Sequence, residues 1–152
     1  MLATVFQGML ATPTGERTSD AQQLVPVTIL SGFLGSGKTT VLKRMLTAAH
    51  GVTISAIVND FGAINLDAED VEKVHEDVIE LSNGCSCCQI GADFSKSLTQ
   101  VATGETPPDH IVVEASGVSE PFSLGLLASM CPETNTAGIV TLVDAEALDA
   151  HT

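Results

Sequence analysis

The run Gly32-Phe33-Leu34-Gly35-Ser36-Gly37-Lys38-Thr39-Thr40 constrains this chain more than any other stretch. An apolar, β-branched segment at 25–31 precedes it, and a helix-forming segment at 39–49 follows it. A strand that turns through glycines straight into a helix is the opening unit of a parallel, helix-covered sheet. Glycines at this spacing let backbone N–H groups turn inward and approach an anion closely. The helix that follows directs the positive end of its dipole at the same point. Lys38 can reach the β- and γ-phosphates of a nucleotide, and the Thr39 hydroxyl is a ligand for Mg²⁺. Gly32, Gly35, Ser36, Gly37, Lys38, Thr39 and Thr40 therefore form a phosphate-binding set, and the pattern implies that the chain binds a nucleoside polyphosphate.

From residue 24 onward strands and helices alternate. Strands are expected at 25–31, 53–59, 78–81, 110–115 and 138–143, and helices at 39–49, 90–103 and 121–130. Three of these strands are nearly continuous apolar runs, as in a parallel sheet covered on both faces. The predicted fold is α/β, a doubly wound and mainly parallel sheet with ligands at the carboxyl ends of its strands. Residues 1–23 show no sustained period and read as a flexible leader. The chain stops eight residues after Asp144, and no Asn-Lys-x-Asp base-reading motif occurs in it. Residues 24–152 are thus expected to be the front portion of a nucleotide domain, or else a shortened form with an incomplete base pocket. The open sheet edge would then be covered by an oligomeric partner or by a missing C-terminal part.

A net charge of −13 with six Lys and Arg leaves too little positive charge to neutralise a nucleic-acid backbone. Without Trp or Tyr, and with five Phe, the chain also lacks stacking platforms for bases. No apolar run reaches the length of a membrane span. Residues 1–10 lack the basic flank of a secretory signal, so a cytoplasmic protein is expected, with neither nucleic-acid nor membrane partners.

Three further segments carry chemistry. Ile111-Val112-Val113-Glu114 is an apolar strand ending in an acid, followed by Ala115-Ser116-Gly117. Behind a phosphate loop, Glu114 can hold a Mg²⁺-bound water or orient the attacking water, and the Gly117 N–H can sense the γ-phosphate. Asn59-Asp60-Phe61-Gly62 closes the second strand, where Asp60 can approach a cation or simply supply turn chemistry. The acidic stretch after it reads as solvated surface. In Asn83-Gly84-Cys85-Ser86-Cys87-Cys88, three of the four cysteines fall within four residues. Close-set thiolates favour zinc, cobalt or cuprous ions, and three ligands leave a fourth position open for transfer. Redox chemistry and plain packing are the other readings of these thiols. Cys131, beside Pro132, is expected to pack in the core.

Taken together and in this order, these motifs resemble the CobW family of P-loop GTPases. That family is related to the nickel-handling GTPases of urease and hydrogenase maturation. It includes nitrile hydratase activators and zinc-regulated metallochaperones. The resemblance spans about 24–144 and rests on the phosphate loop, Asn59-Asp60-Phe61-Gly62, the Cys-x-Cys-Cys motif, and Glu114-Ala115-Ser116-Gly117 with Glu120-Pro121. It implies a GTP- and Mg²⁺-dependent GTPase that delivers zinc or cobalt, held by Cys85, Cys87 and Cys88, to a recipient metalloprotein. It also implies that Lys38, Thr39, Asp60, Glu114 and Gly117 surround one nucleotide. The chain departs from the family pattern at Asp60 and Ala63, where Glu is usual, and at Ala115, where Thr is usual. A small P-loop kinase or ATPase with non-metal cysteines is an alternative, as is a non-catalytic fragment that binds partners.

Overall fold

The computed structural model describes residues 24–48, 51–58, 78–80, 87–116 and 120–144, with backbone alone at 78–80 and 87–90. Strand β1 (Val25–Gly32) leads through the glycine loop into helix α1 (Lys38–Thr47). Strands β2 (Ile54–Val58) and β3 (Val78–Glu80) follow, then helix α2 (Cys87–Ala102). Strand β4 (His110–Glu114), helix α3 (Pro121–Met130) and strand β5 (Thr134–Leu142) complete the described elements.

The sheet has the order β3-β2-β4-β1-β5, and all of its pairings are parallel. A parallel sheet needs a crossover between successive strands, and α1, α2 and α3 supply those from β1 to β2, from β3 to β4 and from β4 to β5 while covering both faces. Alternation along β1 divides the core. Val25, Val27 and Ile29 point to one side, where they pack with Phe94 and Leu98 of α2 and with Leu124 and Ala128 of α3. Leu30 points to the other, where it meets Leu42 and Met45 of α1 and Val112 of β4. Each buried aliphatic side chain contributes about 1.5–3 kcal/mol by leaving water. Two such layers make up for a core that holds neither Tyr nor Trp.

The sequence expectation matches α3 residue for residue, and the other boundaries shift. β5 begins at Thr134, four residues before the expected 138, because Thr134-Asn135-Thr136-Ala137-Gly138 has no apolar run to announce a strand. As the outer neighbour of β1 it buries only part of its surface, so polar residues are tolerated along it. A bulge shifts its register against β1 between Val27 and Thr28. α2 begins at Cys87 instead of 90, so two of the clustered cysteines open a helix.

Candidate functional site

The β1–α1 turn is built from backbone. Ser36 N donates to Phe33 O at 3.1 Å, closing the loop before the helix starts. Gly37 caps α1 in the left-handed region at φ 90°, and no side chain satisfies the helix's first N–H groups. No acidic residue lies in the first turn either. The first N–H groups of the helix are therefore left without a side-chain partner, which is the requirement of an anion site. Gly32 is demanded by close approach: a Cβ there would lie 2.5 Å from Leu142 O and 2.6 Å from Ser36 Oγ. Ser36 Oγ is itself buried without a hydrogen-bond partner.

Lys38 is buried, and its Nζ donates to Gly32 O at 2.7 Å and to Phe33 O at 3.0 Å. The ammonium is thus drawn back over the loop that it serves. Thr39 Oγ1 donates to Glu114 Oε1 at 2.8 Å. The register places Glu114 beside Leu30, one strand over from the phosphate loop, and Ala115 N continues the ladder to Leu30 O at 2.9 Å. The Thr39 hydroxyl and the Glu114 carboxylate thus meet at the helix N-terminus. Phe33 and Leu34, at the tip, are 83% and 95% exposed.

Of the expected site residues, the structure brings together Gly32, Gly35, Ser36, Gly37, Lys38, Thr39, Thr40 and Glu114. Asp60, Cys85 and Gly117 lie outside the described residues. Cys87 and Cys88 are described by backbone only, at the start of α2. The far part of that helix packs at the amino edge of the sheet, since Thr99 Oγ1 lies 3.3 Å from Cys131 Sγ and 3.4 Å from Glu133 Oε2. Its N-terminus, about 18 Å back along the axis, therefore points toward the carboxyl edge, where the phosphate loop lies. β3, which precedes α2, is three strand spacings or ~14 Å from β1 across the sheet. Cys131 packs in the core as expected, with its thiol 3.2 Å from Glu133 Oε2. Leu142, whose carbonyl abuts Gly32, escaped sequence reasoning because nothing local announces that β5 pairs with β1.

Comparison with known proteins bears on the same segment. Residues 26–152 match the family described as "CobW/HypB/UreG, nucleotide-binding domain". The chain belongs to this family. It is 37% identical over 139 residues to the zinc chaperone CobW of Sinorhizobium, an alignment covering 85% of this chain and 39% of that protein. It is also 37% identical to the zinc-regulated GTPase metalloprotein activator 1 of Dictyostelium discoideum, over 79% of this chain and 30% of that protein. The crystal structure of Zn(II)-bound YjiA GTPase from E. coli superposes with a TM-score of 0.52 at 28% identity, over 85% of this chain and 43% of that one. This CobW/HypB/UreG-family chain thus spans well under half the length of these relatives. Among the described residues, no helix is long and apolar enough to cross a membrane.

Proposed function

We propose that this chain is the nucleotide-binding part of a GTP-dependent metallochaperone that delivers zinc to a recipient metalloprotein. The observation that carries the reading is the 2.8 Å bond from Thr39 Oγ1 to Glu114 Oε1, which links the loop and the neighbouring strand at an uncapped helix N-terminus. Relatives named as zinc chaperones and as a GTPase metalloprotein activator support the zinc and GTP assignments.

In this reading the glycine-loop N–H groups and Lys38 bind the β- and γ-phosphates. Thr39 would hold Mg²⁺, which when bound would supply charge neutralisation on the phosphates. Glu114, which accepts from Thr39 Oγ1, would orient a water. Asp60 adds negative charge on the cation side, and the Gly117 N–H follows the γ-phosphate. Cys85, Cys87 and Cys88 hold the cargo ion as thiolates, with cobalt able to stand in for zinc. Both sites lie on segments that follow carboxyl ends of one parallel sheet, so nucleotide state can bias metal affinity. By linkage, metal then biases nucleotide affinity equally.

The test is a Co²⁺ titration followed by thiolate-to-metal absorption, with and without Mg²⁺ and a non-hydrolysable GTP analogue. Tighter Co²⁺ binding in the nucleotide-loaded state is expected, and a Cys87→Ser, Cys88→Ser variant should lose the absorption band. Equal Co²⁺ affinity in both states would refute the coupling, and an unchanged band in the double variant would refute the ligand set.

A further inference from the structure

The glycine loop turns some of its donors onto one of its own carbonyls. Phe33 O accepts from Ser36 N at 3.1 Å and from Lys38 Nζ at 3.0 Å. The first of these bonds closes a four-residue turn from Phe33 to Ser36. Gly35 takes its third position at φ 83°, a sign that favours glycine and that a type II turn requires. For the Ser36 N–H to face a phosphate, this turn has to open. The exchange is favourable, because a hydrogen bond to an ionised oxygen is roughly twice as strong as one to a neutral carbonyl. Opening of the turn reorients Ser36, and its side chain moves with it.

That side chain ends in a group with no use in the ligand-free loop. Ser36 Oγ is buried and has no hydrogen-bond partner. A buried hydroxyl in this state is costly, and a small movement that supplies an acceptor relieves it. One acceptor lies close by. A Cβ on Gly32 would sit 2.6 Å from Ser36 Oγ and 2.5 Å from Leu142 O, so the two oxygens flank a single point. Atoms placed this way are no more than ~5 Å apart, against about 2.7 Å for a hydroxyl bond to a carbonyl. The space between them is the one that Gly32 keeps open by having no side chain. Within the loop, Gly32 O and Phe33 O already accept from Lys38 Nζ. Leu142 O has two lone pairs, so it can take a second donor whatever the sheet ladder uses. Leu142 stands beside Gly32 in the register of β5 against β1, so such a bond would join the loop to the carboxyl end of β5.

We propose that Ser36 is a positioning residue: once the Phe33–Ser36 turn opens onto phosphates, its hydroxyl donates to Leu142 O and clamps the loaded loop to β5. This rests on the nucleotide-binding reading above. Because the hydroxyl is unpaired before binding and paired after it, its loss acts on the two states differently. In the full chain, Ser36→Ala should weaken binding of a non-hydrolysable GTP analogue with Mg²⁺ about fivefold, measured by calorimetry. The urea midpoint of the ligand-free variant should be unchanged or higher, whereas a merely structural serine would lose stability and affinity together. A second measurement reads the acceptor itself. The dipeptide Leu-Val occurs twice, at Leu24-Val25 and Leu142-Val143, so ¹³C-carbonyl leucine with ¹⁵N-valine gives two correlated NMR signals. On saturation with the analogue, the Leu142 carbonyl should shift downfield in the parent and stay in place in Ser36→Ala. The Leu24 signal serves as the internal control. Unchanged affinity in the variant, an equal fall in stability, or an equal Leu142 shift in both proteins would overturn the proposal while the parent still binds the analogue. Failure of the parent to bind it would overturn the nucleotide reading as well.

Discussion

The two ends of this sheet use their polar groups in opposite ways. At the amino edge several side chains hydrogen-bond within the protein. Asp109 Oδ2 accepts from Thr53 N at 2.9 Å and from Thr53 Oγ1 at 2.8 Å, and Asp109 N donates back to Thr53 Oγ1 at 3.0 Å. Thr134 Oγ1 donates to Ala128 O at 2.7 Å, and Thr28 Oγ1 pairs with His110 Nε2 at 2.8 Å. At the carboxyl edge the first turn of α1 has no side-chain cap, and Lys38 reaches only carbonyls of its own loop. Hydrogen bonding fastens the strands together at one end, and at the other it leaves the first N–H groups of α1 without a side-chain partner. The same parallel architecture produces both, because every helix that follows a strand presents its N-terminus at one edge only.

Substitutions at the two ends should therefore separate binding from stability. The largest effect is expected at the carboxyl edge. Lys38→Ala should weaken GTP binding, measured by calorimetry, by about 100-fold or more, equivalent to ~2.7 kcal/mol, with the fold intact. A comparable loss of stability in that variant would break the contrast. At the amino edge Asp109→Ala should do the reverse. Loss of the two bonds its carboxylate accepts from Thr53 is expected to lower unfolding free energy by about 1–2 kcal/mol in urea, with GTP affinity unchanged.

The smallest effect concerns His110. Burial holds its imidazole below the ordinary value of 6.5, and its Nδ1 is buried with no partner. Because the folded pKa is the lower one, the unfolded chain takes up a proton below about pH 6.5 that the folded chain refuses. This contribution is complete above that pH and is lost as pH falls toward the folded value. His110→Gln should make the fall in urea midpoint between pH 7.5 and pH 5.5 shallower than in the parent. Identical slopes would remove His110 from the amino-edge account.

Much of this organisation is legible along the chain because it is local. The phosphate loop, its flanking strand and helix, and the acid ending β4 are each encoded in a few consecutive residues. β5 is less legible, since an edge strand with a bulge and alternating polar residues lacks the apolar run that marks a central strand. The start of α2 is also displaced, because cysteines read as a ligand cluster can equally open a helix.

By itself, the sequence determined the α/β class and the glycine loop between the first strand and the first helix, and it singled out Lys38, Thr39 and Glu114 as candidate site residues. Glycine spacing, apolar runs and helix-forming stretches are properties of neighbouring residues, and such properties survive without a fold. Tertiary structure alone decided that β5 lies beside β1 and that Leu142 presses its carbonyl against Gly32. It also decided that Asp109 fastens Thr53, and that Leu124 and Ala128 of α3 are buried in the core. Each of these depends on which strands become neighbours, and strand order follows from the burial of two apolar faces at once, to which residues far apart in the chain contribute together.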